Sequence, residues 1–432
     1  MATMESAFSF SQSLSVCVIM LRNLFAALAV LGASATPAFA QPRSAIFLHP
    51  DGMGANTWGV VRLAEVGPDG RLAWDRLPET AVYIGPMLDN VTATSNGGAT
   101  THAYGVRAES GSYGLINGAA IPGLSIARQA QNAGKAIGFV NSSTVTEPGT
   151  GAFLASTSDR DNHADIAAQM LDARPQVIMG GGEQWFLPRG VIGVHGPGAR
   201  MDGRDLIAEA RAAGYVVVHT REELAALPAN ATHVLGLFAH EDTFNEGTEA
   251  SLARRRLSPF QAQAPRFDEM IAAAIRILER DSDGYLLVGN EEASDNFGGD
   301  NNAAAVIDAG AGADRAIAVA LRAHAANPNL TIVVASDSDC GGAQVSGDDQ
   351  TPGRRVPSRN ENGAPQDGDR GRPFLAAPDR NGVRQPFVVT WANEGDVSGG
   401  VVARGIGPGA EAVLHGTIDS TDIRRALEAG LF

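Results

Sequence analysis

The chain has 432 residues, 44% of them hydrophobic, and 33 Lys and Arg against 48 Asp and Glu give a net charge of -15. That length and apolar share are enough to bury one large core or two modest ones, and they argue against a disordered chain. The acidic balance excludes nucleic acid as a partner, because phosphate backbones are bound by clustered Lys and Arg, and it suits a carboxylate-rich metal centre.

Residues 1–40 read as an export signal. Met20-Leu21-Arg22-Asn23 is a short positive region, Leu24 to Leu31 is apolar, and Ala38-Phe39-Ala40 is a small-x-small cleavage site. Residues 1–19 then form an upstream extension, Gln41 starts the mature chain, and the expected location is periplasmic or secreted. The apolar run is too short to span a bilayer, so no membrane association is expected once the signal is removed. Cys17 leaves with the signal, and Cys340 remains as a single thiol with no disulfide partner.

Downstream, strand-like and helix-like segments alternate. This is the pattern of an α/β fold, a single large domain over residues 41–432 with a mostly parallel central sheet flanked by helices. Ser44–His49 is the first expected strand and runs into Pro50-Asp51-Gly52-Met53-Gly54. Asp51 therefore lies at the strand's carboxyl end, where open α/β sheets place their sites. The glycines are not a dinucleotide fingerprint, since Thr57 stands where a third glycine is needed. Thr94-Ser95-Asn96 are helix-capping residue types ahead of small residues that run to Tyr104 and stop at Gly105. Most such clusters are only caps, but Ser95 at a helix start also meets unpaired N–H groups that can hold phosphoryl oxygens.

A strand over Lys135–Val140 leads through Asn141–Thr146 to Glu147. Arg160 follows in a polar run ahead of a helix over His163–Leu171 and, taken alone, reads as a solvated surface residue. Gln176–Met179, Leu206–Ala213, Tyr215–His219 and His233–Phe238 continue the alternation. The amphipathic helix Pro265–Glu279 precedes a strand at Tyr285–Val288, which empties into the run from Glu291 to Asn302. Four carboxylates and three amides within those twelve residues point to oxygen ligation of a cation. A helix over Ala313–Ala326 and a strand over Leu330–Ala335 lead to Ser336-Asp337-Ser338-Asp339-Cys340-Gly341-Gly342. Residues 343–386 lack apolar periodicity and read as a long polar surface insertion. Strands at Gln385–Trp391 and Gly400–Gly405 and a closing helix at Thr421–Ala429 complete the chain.

Asp51, Glu147, the cluster from Glu291 through Asp295 to Asp300, and Asp337 thus fall at one edge of the inferred sheet although far apart in sequence. Such convergence is what a multi-metal site requires. Ser95 would add a nucleophile, and Arg160 a fork for phosphate oxygens.

These motifs resemble the alkaline phosphatase family over Ser44–Phe432, apart from the polar insertion. Phe47–Gly54 looks like that family's first strand and metal aspartate, and Thr94–Arg107 resembles its nucleophile helix. Glu147 and Arg160 are spaced like its accessory metal residue and phosphate-binding arginine. Leu286–Asp295 is similar to its segment carrying a metal glutamate and aspartate, and Ser336–Gly342 to its Asp-His-Glu-Thr-Gly-Gly element. The resemblance implies an exported metal-dependent phosphatase acting on small phosphate monoesters through a phosphoserine at Ser95. Metal ligands would be Asp51, Glu147, Glu291, Asp295, Asp300 and Asp337, with Glu292 competing with Glu291, and a homodimer is the family-like assembly. A phosphodiesterase of the same superfamily and a non-catalytic descendant that binds metal or phosphate are the alternatives. Retention of Ser95 and Arg160 favours an enzyme. The lack of a Cys/Ser-x-Pro-x-Arg signature argues against a sulfatase.

The departures from the family matter equally. Thr94 stands in place of an aspartate, Ser338 and Gly299 in place of zinc histidines, and Ala392–Asp396 where a last histidine is expected. His49 and His102 read as structural. The remaining donors are oxygens, so magnesium or calcium is expected in place of zinc, with zinc as the alternative.

Overall fold

The computed structural model describes residues 43–348 and 355–432, so the stretch expected to be an export signal, with Cys17, lies outside the described residues. Ser44–Pro50 is buried along its whole length. Its side chains alternate between two cores, Phe47 into one and Ile46 and Leu48 into the other, as a strand covered on both faces must. It lies between Leu330–Val334 and Tyr285–Glu291, parallel to both. Tyr285–Glu291 in turn runs parallel to Ala136–Thr144.

The complete ten-stranded sheet runs His415–Asp419, Glu79–Ile84, Val402–Ile406, Leu330–Val334, Ser44–Pro50, Tyr285–Glu291, Ala136–Thr144, Val177–Gly181, Val234–Leu237 and Val216–Val218. Val402–Ile406 alone opposes its neighbours. Helices Phe267–Leu278 and Ala303–Ala326 cover one face through Met270, Ile271, Ala313 and Ile317. Ile126–Asn132, His163–Asp172 and Asp422–Leu431 cover the other through Ile126, Ile166 and Leu427. The result is a single α/β domain with a mostly parallel sheet between helices.

Three local differences from the sequence expectations have physical causes. The long helix begins at Ala303, not Ala313, with Asn302 accepting from the Ala305 N–H as its cap. Its first turns are alanine-rich and show no clear polar face. The strand expected to stop at Val140 continues to Thr144, with a register shift between Val140 and Thr144. The supposed loop of residues 343–386 contributes three short strands, Gln344–Gly347, Gln366–Asp367 and Phe374–Leu375, that pair with Pro386–Thr390. Strands of two to four residues are too short to display alternation. Phe374 and Phe387 stack across this small sheet with ring centroids 5.3 Å apart.

Candidate active site

The carboxyl ends of the central strands open on a cleft of 690 Å³ whose walls include Ser95, Glu147, Arg160, Glu292, Asp295 and Asp396. Ser95 begins the helix Ser95–Tyr104. This helix is made of poor helix formers, Gly-Gly and Thr-Thr, so its ends and its packing must hold it. Thr94 is extended (φ -123°) and accepts from the Gly97 N–H at 3.4 Å, while Gly105 (φ 70°) closes the other end on the Thr101 carbonyl. The small residues serve close approach, since a Cβ at Gly98 would lie 2.5 Å from the Cβ of Asp337. Gly98→Ala is therefore expected to cost about 1–3 kcal/mol of stability and to push Asp337 out of place. Thermal melts paired with metal binding check this, and a variant that melts and binds metal like the wild type would refute it.

Asp51 and Asp337 face His49 at the floor of the site. His49 Nε2 is 3.7 Å from Asp337 Oδ1, and His49 Nδ1 is 3.9 Å from Asp51 Oδ2. All three residues are buried. Asp51 Oδ2, both Asp337 oxygens and His49 Nε2 have no hydrogen-bond partner. Buried polar atoms are rarely left so, and several converging on one point is a strong structural sign of a cation position. Burial, then the facing charges of Asp337, Glu292 and Asp295, pushes the Asp51 carboxyl well above the usual range. For Asp337 burial also pushes upward, but the neighbouring His49 outweighs it and holds the group below that range.

A second group lies alongside. Ligand atoms of Asp295, Cys340 and Asp396 all fall within 4.8 Å of one another. Ser338 donates to Asp396 Oδ1 at 2.5 Å, and Asp295 Oδ1 is buried without a partner. Burial and then Asp396 and Asp337 raise Asp295 well above the carboxylate range, while burial followed by Asp337 lifts Asp396 to about 6. Gly52 (φ 64°) makes room, because a Cβ there would sit 2.6 Å from both Asp295 Oδ1 and Cys340 Cβ. The atoms that could hold a cation here therefore include a sulfur, which the expected all-oxygen set did not contain.

On the far wall Arg160 donates to Glu147 Oε2 at 2.6 Å, its side chain 41% exposed at the cleft mouth. One oxygen of Glu147, expected on the accessory metal side, is therefore spent on orienting the guanidinium. Asp242, which the sequence did not single out, joins this wall and accepts from the Ser143 hydroxyl and the Thr144 N–H. Asp300 reaches the cleft with Oδ2 unpartnered, but belongs to neither ligand group.

Glu291 needs correction. It ends the strand on the opposite face, buried, with Arg266 and Asp308 as its charged neighbours, and burial pushes its carboxyl up to about 7. The strand ends at Glu291, and Glu292, already helical at the start of Ala293–Gly299, is the one that enters the cleft, where it accepts from Asn290 Nδ2 at 2.6 Å. His102 behaves as scaffold. It is buried against Phe47, bonded through Nε2 to the Tyr83 hydroxyl at 2.7 Å, and burial, then His49, lowers its pKa to about 3.

The family described as alkaline phosphatase matches residues 43–366. The tissue-nonspecific alkaline phosphatase isozyme of Gallus gallus is 28% identical over 339 residues, which is 68% of this chain and 63% of that protein's length. An alkaline phosphatase of Gadus morhua is 29% identical over 344 residues, 69% of each chain. A streptomycin-6-phosphate phosphatase of Streptomyces griseus is 28% identical over 69% of this chain and 74% of its own. The crystal structure of Thermus thermophilus alkaline phosphatase shares the fold with a TM-score of 0.72 at 23% identity, covering 91% of this chain and 92% of its own.

Proposed function

This chain belongs to the alkaline phosphatase family, and from that premise we propose that it is an exported, metal-dependent phosphatase that hydrolyses small phosphate monoesters through a phosphoserine at Ser95. The observation that carries the reading is the convergence of a helix-start serine, an arginine and the ligand atoms of Asp295, Cys340 and Asp396 on one cleft, with His49, Asp51 and Asp337 buried beside them. Orphaned oxygens on Asp51, Asp295 and Asp337 fit divalent cations, which when bound would supply the positive charge that lowers a serine pKa and neutralises phosphate oxygens.

The chain's own groups account for the remaining steps. Ser95 Oγ forms a bond to phosphorus as the ester oxygen leaves and takes up a proton as the alcohol. Water then attacks the phosphoserine and releases inorganic phosphate with Ser95 restored. Free N–H groups at the start of Ser95–Tyr104 favour the anion, and Arg160 binds non-bridging oxygens with its guanidinium aimed by Glu147. Among the described residues no helix is long and apolar enough to cross a membrane. Export itself rests on the signal-like run ending at Ala40.

The reading is tested by assaying purified protein on an aryl phosphate, an aryl phosphodiester and an aryl sulfate in parallel, with acid-quenched intact mass to catch a phosphoryl adduct. Monoester turnover with an adduct is expected. Preference for the diester would replace the reading. Arg160→Lys keeps the charge but loses the fork. It should weaken inhibition by inorganic phosphate roughly ten- to a hundredfold, the worth of a charge-assisted hydrogen bond of ~1.5–3 kcal/mol. Equal inhibition in wild type and Arg160→Ala would reduce Arg160 to a surface residue.

A further inference from the structure

We propose that each carboxylate pair is completed by one non-oxygen donor, His49 Nε2 at Asp51 and Asp337 and Cys340 Sγ at Asp295 and Asp396. The inference rests on the phosphatase reading only for the presence of cations in the cleft.

For His49 the hydrogen bonds settle which ring nitrogen is free. Asn290 Nδ2 donates to Glu292 Oε2 at 2.6 Å, which fixes the amide and turns its Oδ1 toward His49. An amide oxygen only accepts, so Nδ1, 2.7 Å away, donates to it and Nε2 is left as the ring atom that faces the carboxylates. That nitrogen has no hydrogen-bond partner, in a side chain 1% exposed, and it lies 3.7 Å from the orphaned Oδ1 of Asp337. At 3.7 Å the two atoms are too far apart for a hydrogen bond. An imidazole whose Nδ1–H is held by a carbonyl oxygen while Nε2 faces carboxylates is arranged as metal-binding histidines are.

For Cys340 the case rests on the cluster rather than on the thiol. Its sulfur lies among the oxygens of two aspartates, one of which keeps a fully buried oxygen without a partner. The other is oriented by the Ser338 hydroxyl. The left-handed turn at Gly52 brings the loop onto both Asp295 and Cys340, a closeness that no side chain at that position would permit. Thiolate and imidazole suit zinc and cobalt, whereas magnesium and calcium take oxygen.

The test uses the full chain, stripped with chelator and reloaded with cobalt(II), zinc(II), magnesium or calcium one at a time. Bound metal per chain and the near-ultraviolet thiolate-to-cobalt absorption are read, together with Cys340 reactivity toward an aromatic disulfide. The cobalt protein should show the thiolate band, and zinc but not magnesium should shield the thiol. Cys340→Ser should lose the band, and His49→Gln should keep it. Each variant should lose affinity for one equivalent of zinc by at least the roughly 10–100-fold that removal of an outer partner costs a metal site. Melting in chelator, with Cys340→Ala as a second variant, establishes that the variants fold.

No thiolate band in the wild type, or unchanged zinc stoichiometry in folded Cys340→Ser, overturns the sulfur half. Unchanged stoichiometry in folded His49→Gln overturns the imidazole half and leaves an ion pair with Asp337. The two readings fail separately. Thiolate-bound cobalt without phosphate release sinks the phosphatase and spares the donors, while turnover with magnesium and no band does the reverse.

Discussion

Ser95→Ala is expected to lower phosphate release from an aryl phosphate by roughly a thousandfold or more, because a covalent route loses its nucleophile outright and the neighbouring hydroxyl cannot replace it. Thr94 precedes the helix, and its hydroxyl is already committed, donating to the Ser110 carbonyl at 2.5 Å and accepting from the Gly97 N–H. Thr94→Ala should therefore cost about 1 kcal/mol of stability as a lost cap and keep a measurable fraction of activity. Initial rates and intact mass after acid quench decide the matter. A phosphoryl adduct that persists in Ser95→Ala would move the covalent step to another hydroxyl, and wild-type rates in that variant would remove the phosphoserine altogether.

What was legible in the chain was whatever repeats along a strand or caps a helix. The first strand is legible as Ser44–His49, one residue short of the observed Ser44–Pro50, and Asp51 by standing at its end. Ser95 was marked by its capping neighbours. Glu292 and Glu291 are not told apart by composition, because the strand ends between them and the acidic pair carries no mark of that boundary. His49 reads as structural from composition, yet residues i and i+2 on a strand share a face, so a histidine two before Asp51 points where Asp51 points, and its ring lies beside Asp51 and Asp337. Cys340 and Asp396 were hidden for a different reason. They meet Asp295 only because Cys340 N–H bonds to the Gly52 carbonyl and Gly341 N–H to that of Gly395, contacts between segments far apart in sequence. Asp242 likewise enters through its bonds to Ser143 and Thr144 at a neighbouring strand's end.

Removing the metals is expected to destabilise the protein, and to do so more at pH 8 than at pH 5. Without a cation the site crowds Asp51, Glu292 and Asp295 together, and burial before all else pushes their carboxyls well above the usual range. Asp396 is lifted from 3.8 to about 6, again first by burial. A carboxyl raised in the folded state holds a proton that the unfolded chain has already released. Stability is therefore greatest below the ordinary carboxylate pKa and is lost as pH climbs through the raised values. For Asp396 alone the rise amounts to about 3 kcal/mol at ~1.4 kcal/mol per pH unit, a large share of the ~5–15 kcal/mol that keeps a domain folded. A divalent cation reverses the sign of each repulsion, so reloading should flatten the dependence. Asp51→Asn separates stability from function, since the amide removes one buried charge. The stripped variant should melt above the stripped wild type at pH 8, while its reloaded form should lose nearly all turnover. Melting curves of stripped and reloaded protein across pH 5–8 are the measurement, and a stripped wild type as stable at pH 8 as at pH 5 would show that these carboxylates do not need a cation between them.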